Sequence, residues 1–355
     1  MAKKKLLFLF SDTGGGHRSS TEAVEEAINH LYPGQFTIDK VDFLKSHAPW
    51  PFNKLAKMYP TMVSYDSFFW QYGFKLFDYK HFYKRLIDFL WPYIKHAVSE
   101  IVSNYDYDLL VSFHPLINYP LTKFQPNLKY VVVITDLITA NKSWYSGIPT
   151  LYLVPTLELK ISGVNLGIDP KIITVTGLPI SLRFKPKPKF QISNFKFQIL
   201  LMGGGQGLGK LYNIAKSLNT ANLPIKLIIV AGRNPKLELQ LKALKWQIPV
   251  EIYGFTKEIP DLMQRSDILL TKAGPSTICE GLVTGLPIII YDYLKGQETA
   301  SVDYLVKNHA GLYCPTPKDI IHAIQSSQLN NLNTTSIATP NASMDIAKHL
   351  YKLVS

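Results

Sequence analysis

Short unbroken apolar runs recur along this chain, each ending in a glycine-rich or polar turn and followed by apolar residues at helical spacing. The first run, residues 5–10, leads into SDTGGGHRSST, after which Ala23, Val24, Ala27, Ile28 and Leu31 repeat on one helix face. Further runs follow at 108–113, 130–134, 151–154 and 172–176, with a helical pattern at 94–102. Residues 181–197 carry five cations and no acid, which marks a linker. The pattern then restarts with a run at 197–202 and the loop GGGQGLG, followed by runs at 227–231, 250–253, 267–271 and 287–291. Continuous apolar runs of this length, alternating with helices, predict parallel strands in βα units. The expectation is an α/β chain of two facing Rossmann-like domains with a cleft between them. Its parts are residues 1–180, the linker 181–197, a second domain at 198–330, and 331–355, a loose Asn/Ser/Thr-rich connection to a last short helix at 344–353.

Two glycine turns draw the chemistry. In KAGPSTICE, read as strand, turn and a helix from Ile278, Gly274 and the hydroxyls of Ser276 and Thr277 stand at a helix N-terminus. Free N–H groups and the helix dipole favour an anion such as a diphosphate there. Glu280, read in the first turn, is placed to accept hydrogen bonds from a vicinal diol such as a ribose. The plain alternative is an ordinary capped βα turn. In the first loop, three glycines let a ligand approach the backbone and put His17 and Arg18 near a helix start. His17 is a candidate general base, or else a capping or core histidine. No Gly-Lys-Ser/Thr follows, so this is not a Walker A loop. His114 and Asp136 end the runs at 108–113 and 130–134, facing the ligand crevice of an open α/β sheet.

Composition narrows the class. Hydrophobic residues make up 46% and charged residues 18% of 355, a folded chain long enough for two or three domains. No apolar run reaches the roughly 18–20 residues that span a bilayer, and 3–10 is too short for a signal-peptide core. Cys279 and Cys314 make neither a disulfide framework nor a metal set. The net charge of +12 asks for an anionic partner. No nucleic-acid module is recognisable, so a membrane surface is favoured. Residues 50–93 support that, holding 16 of the 43 aromatics with six interleaved Lys and Arg. Trp50, Phe69, Trp70, Phe74, Lys75, Lys84 and Arg85 are the candidate membrane and acceptor residues, since rings sit at headgroup depth and cations meet anionic lipid. The alternatives are an aromatic core patch with a solvated basic face, or single-stranded nucleic-acid binding.

SDTGGGHRSS, TGLPI, GGGQGLG, YGF, KAGPSTICE and GQE, in this order, resemble one family. They are similar to the GT-B glycosyltransferases that include monogalactosyldiacylglycerol synthases and processive diacylglycerol glucosyltransferases, with the lipid II-forming N-acetylglucosaminyltransferase a more distant relative. The resemblance implies an inverting, metal-independent transfer of a hexose, galactose before glucose, from UDP-galactose or UDP-glucose to diacylglycerol. The enzyme would sit peripherally on the cytoplasmic face of the cell membrane. No cofactor and no nucleic acid is implied. Glu280 would bind the ribose, and Phe255 with Thr256 would flank uracil. Gly204, Gly205 and Gln206, with Gly274, Ser276 and Thr277, would line the diphosphate, with Arg183 or Lys272 as a further phosphate contact. Gln297 and Glu298 would hold sugar hydroxyls. His17 would be the base or position the acceptor, with Asp136 competing for the base role. The family's arginine after Gly-Leu-Pro-Ile is Ser181 here, and in place of its His-Pro-Thr-Trp segment stands Ala140-Asn-Lys-Ser-Trp144. A polyprenyl-linked acceptor, or a non-catalytic nucleotide-sugar or lipid-binding module, are the rival readings. Asp106-Tyr107-Asp108 has the spacing of a metal-binding DXD motif but precedes a strand, and reads as structural.

Overall fold

The apolar runs become strands of three to seven residues in two six-stranded, all-parallel sheets. The computed structural model describes residues 3–13, 15–55, 57–58, 79, 82–187, 197–207 and 209–355. They fall into two compact units, Met1–Leu182 with Asn341–Ser355, and Arg183–Pro340. Residues 188–196 of the expected linker lie outside the described residues.

The first sheet has the order β2-β1-β3-β4-β5-β6. Its strands are β1 (Lys4–Phe10), β2 (Phe36–Asp42), β3 (Leu109–Ser112), β4 (Tyr130–Val133), β5 (Leu151–Val154) and β6 (Ile173–Val175). Every residue of β3 and β4 is buried, because helices cover both faces, and that is why these strands read as unbroken apolar runs. β2 is an edge strand with only Phe36 and Val41 buried. Its mixed sequence FTIDKVD carries no apolar run, and the sequence reading passed over it.

The last helix, Ala342–Val354, returns to the first unit and packs on the helix Gly16–Leu31. Ile346, Ala347 and Leu350 are fully enclosed beside Val24, Ala27 and Ile28. Tyr351 stacks on Tyr32 at 4.2 Å, and the Ser343 hydroxyl donates to the Ile180 carbonyl at 2.6 Å. The final residues therefore build part of the first core, whereas the sequence reading set them apart as a tail.

The second sheet has the order β12-β11-β10-β7-β8-β9. Its strands are β7 (Phe197–Met202), β8 (Ile225–Val230), β9 (Val250–Tyr253), β10 (Ile268–Lys272), β11 (Ile288–Asp292) and β12 (Gly311–Tyr313). Glycine is required where the loops after β7 and β8 meet. Gly207 (φ +59°) has the Ala231 carbonyl oxygen 2.0 Å from where a Cβ would stand, and the Arg233 N–H donates to the Gly205 carbonyl at 2.9 Å. Any side chain at 207 would push these two loops apart. Within each sheet the strands run one way, so the C-terminal ends of that sheet's strands, with the polar turns that follow, share one crest.

Candidate active site

At the first crest, the turn after β1 opens the helix Gly16–Leu31 with Gly15 in the left-handed region (φ +92°), and no side chain caps it. His17 sits one residue into this helix. Its Nδ1 lies 2.7 Å from the Thr135 hydroxyl, and its ring centre lies 4.6 Å from that of His114 and 5.9 Å from that of Trp144. Burial pushes the His17 imidazole down to about 4, only partly opposed by the Phe113 carbonyl and Asp12. His114 is held well below the usual histidine range by burial and by His17. Its Nδ1 accepts from the Leu116 N–H at 3.3 Å, which caps the helix Pro115–Phe124 and leaves Nε2–H to face the Thr13 hydroxyl at 3.3 Å. His114 is thus a neutral structural cap that also forms one wall beside His17.

Asp136, 8% exposed, follows β4 and accepts from Trp144 Nε1 at 2.6 Å. Trp144 is fully buried in the short turn Lys142–Tyr145, which Asn141 caps. Arg18 pairs with Asp12 at 2.9 Å and lies over the Phe10 ring. The structure therefore brings His17, Thr135, His114 and Trp144 together at one crest, with Asp136 beneath Trp144. Asp106 and Asp108 lie at the opposite end of the sheet, bonded to the Lys5 side chain and Lys5 backbone N–H respectively.

At the second crest the helix after β10 is Pro275–Thr284, with Gly274 at its N-cap. It begins three residues before Ile278, so Glu280 stands in its second turn, not its first. The hydroxyls of Ser276 and Thr277 and the carboxylate of Glu280 make no hydrogen bond or ion pair among the described residues. Burial alone raises the Glu280 carboxyl to about 7. Gly204 and Gly274 flank Lys272: a Cβ at Gly204 would lie 3.8 Å from its Cε, and one at Gly274 would lie 3.8 Å from its Nζ. The two glycine turns, far apart in sequence, are thereby neighbours, and Gly205 and Gln206 continue the first of them.

Three expected contacts are used within the fold. Lys272 Nζ pairs with Glu298 Oε1 at 2.5 Å, and Glu298 Oε2 accepts from the Leu294 N–H at 2.8 Å. Glu298, 4% exposed, thus holds the turn 294–298, in which Gln297 is half-buried. Arg183 donates to the Lys257 carbonyl at 3.0 Å and to Asp261 at 2.9 Å, which ties it to the loop after Phe255 and Thr256. Lys272 and Arg183 are committed to carboxylates, so of the groups expected to meet an anion, backbone N–H groups and the two hydroxyls are left. Arg233, missed as a site residue, lies over the Phe255 ring at 4.1 Å, and Phe255 is 54% exposed. A cation ending one strand and an exposed aromatic ending the next was the available signal. Thr256 caps its own turn, accepting from the Glu258 N–H at 3.1 Å.

Among the described residues no three His, Cys, Asp or Glu side chains converge as a metal set. Of the membrane candidates, Phe69, Trp70, Phe74 and Lys75 lie outside the described residues. Trp50 is 70% exposed and Arg85 exposed, while Lys84 leans over the Tyr119 ring at 5.3 Å. No helix of the described residues is long and apolar enough to cross a membrane.

Two six-stranded parallel sheets crested by glycine loops are the GT-B architecture. MurG of Acinetobacter baumannii has this fold, superposing with a TM-score of 0.65 over 98% of this chain and 99% of its own at 13% identity. The chain belongs to the monogalactosyldiacylglycerol synthase family. The model of that family matches residues 17–180, and the glycosyltransferase family 28 C-terminal domain matches residues 198–350. The chain is 32% identical to the chloroplastic monogalactosyldiacylglycerol synthase of Spinacia oleracea over 99% of its length and 73% of the relative's. It is also 32% identical to monogalactosyldiacylglycerol synthase 1 of Arabidopsis thaliana, over 99% of this chain and 71% of that one.

Proposed function

We propose that the chain moves a hexosyl group, galactosyl before glucosyl, from a UDP-sugar to the free hydroxyl of diacylglycerol, with inversion and without a metal. It works peripherally at a membrane, on the cytoplasmic face. The observation that carries this reading is Glu280: a carboxylate with no partner among the described residues, its ionisation held back to about 7 by burial, one turn into a helix whose first-turn hydroxyls have no partner among them either. A ribose diol donates to that carboxylate while the diphosphate lies against the free N–H groups of 276 and 277 and the amides of 204–206. The names of the relatives favour galactose and diacylglycerol.

In the transfer, the acceptor oxygen bonds to the anomeric carbon as UDP departs with the electrons of the C1–O bond, and a base takes the hydroxyl proton. His17 is that base. Its imidazole is neutral at any pH well above 4, so it can accept the proton as the acceptor oxygen bonds to carbon. Asp136 is buried with Trp144 donating to it, a role that holds the wall beside His17. The diphosphate leaves into helix and loop amides, which stabilise its charge without a cation. The exposed rings of Trp50, Phe89 and Tyr93 and the cation of Arg85 suit an anionic lipid surface.

The test is transfer from radiolabelled UDP-galactose and UDP-glucose, run in parallel, to diacylglycerol in anionic vesicles with EDTA present. Label in the chloroform phase from UDP-galactose, undiminished by EDTA, is expected. Label from neither donor, or abolition by EDTA, overturns the corresponding part of the reading.

A further inference from the structure

The first unit contains a cavity of about 140 Å³ that the transfer chemistry does not use. It lies between the segment 43–55, the helix Phe82–Ser103 and the helix Pro115–Phe124, and every residue lining it is apolar or aromatic. The one hydroxyl among them, Tyr83, is spent on the Leu116 carbonyl at 2.7 Å. No polar group is left to hold water, and a cavity of roughly 150 Å³ with such a lining stays dry and takes an apolar guest. Protein interiors rarely leave voids of this size unfilled.

Its position says what the guest is. On the inner side, the lining residue Phe43 meets the His114 ring edge-on at 5.4 Å, and His114 lies against His17 at 4.6 Å. On the outer side the wall, among the described residues, is a single helix, Phe82–Ser103. Ile87, Leu90 and Ile94 of this helix line the cavity, whereas Arg85, Phe89 and Tyr93 stand exposed. The Tyr93 ring lies 6.3 Å from that of Phe52, another lining residue, and Leu86, Leu90 and Phe52 are half-buried, so the wall is thin. One helix thus shows a basic, aromatic face to solvent and an apolar face to a cavity one ring away from the His17 wall.

We propose that this cavity takes the end of one acyl chain of the lipid acceptor, and so measures chain length while the acceptor's hydroxyl waits at His17. This rests on the diacylglycerol reading above and adds to it a site for the chain. A volume of 140 Å³ holds a few methylenes, so the cavity selects on the chain terminus, and the remainder stays in lipid or along the helix.

The experiment compares dipalmitoyl- with dioctanoylglycerol in the same mixed micelles, for the wild type and for Ala97→Phe and Ala48→Leu, which fill the cavity from two sides. The long-to-short rate ratio is expected to fall about tenfold in Ala97→Phe, the loss of roughly two buried methylenes, and less in Ala48→Leu. A melting curve accompanies each variant. An unchanged ratio in a folded variant overturns the proposal while leaving diacylglycerol transfer intact, whereas absence of transfer to either acceptor by the wild type sinks the underlying reading. Should both variants fail to fold, diacylglycerol carrying a diazirine at one chain terminus is photolysed with the wild type. Label in peptides 43–55, 82–103 or 115–124 supports the site, and label confined to other peptides contradicts it.

Discussion

The two crests share a topology and differ in what desolvation does to them. In the first, burial drives the His17 imidazole down to about 4, among aromatic rings and a second neutral histidine. In the second, burial raises the Glu280 carboxyl to about 7, beside glycine turns with free amides. The same cause, loss of solvent around the charge, favours the uncharged form in both places. It leaves the first crest with a proton acceptor ready at neutral pH, and the second with a carboxylic acid at the edge of ionisation. The sheet supplies the placement, and residue type decides which chemistry each crest performs.

The strongest way to break this comparison is to remove its two members separately. His17→Ala is expected to lower kcat by about 10²–10⁴, the usual contribution of a positioned base, with UDP affinity unchanged. Next in size is Glu298→Ala, which strands the Lys272 ammonium in a nearly closed site. Breaking such a pair costs about 3–5 kcal/mol, read as a lowered denaturation midpoint. Glu280→Ala is expected to weaken UDP by about 10–100-fold, from the loss of one or more hydrogen bonds to a charged acceptor of about 1.5–3 kcal/mol. Because the diol donates best to the ionised carboxylate, wild-type UDP affinity should rise as pH passes through about 7. Titration calorimetry at pH 6 and 8 checks this, and Glu280→Gln should flatten it.

The smallest effects are two opposed pH slopes of stability. The folded pKa of His17 is below its unfolded value, so its contribution is complete above pH 6.5 and is lost as pH falls toward 4. The folded pKa of Glu280 is above its unfolded value, so its contribution is complete below pH 4.5 and is lost as pH rises through about 7. Denaturant midpoints across pH 4–8 should lose the first slope in His17→Gln and the second in Glu280→Gln.

The sequence made the sheets legible where strands are buried on both faces, as in β3, β4 and β10, since those are apolar over most of their length. β2 escaped because an edge strand with two buried positions looks like a loop, and β12 because Gly-Leu-Tyr holds no apolar run. The last helix was foreseen, but not its berth on the helix Gly16–Leu31, since amphipathic spacing names a buried face without naming what covers it. At the sites, the glycine turns announced themselves by composition. The Lys272–Glu298 pair did not, because an ion pair between successive strand ends depends on side-chain reach, and it turns two expected ligand contacts into bonds within the fold. Arg233 over Phe255 went unread for the same reason. Glu280 was placed one turn too early, as Pro275 starts its helix before the apolar periodicity does.

The central claim, that one crest handles the proton and the other the nucleotide, is tested most directly by measuring UDP dissociation constants and kcat side by side for His17→Ala and Glu280→Ala in the full chain. The account predicts that His17→Ala keeps the wild-type UDP dissociation constant while kcat collapses, and that Glu280→Ala raises the dissociation constant at least about tenfold. Weakened UDP binding in His17→Ala with unaltered binding in Glu280→Ala would contradict it.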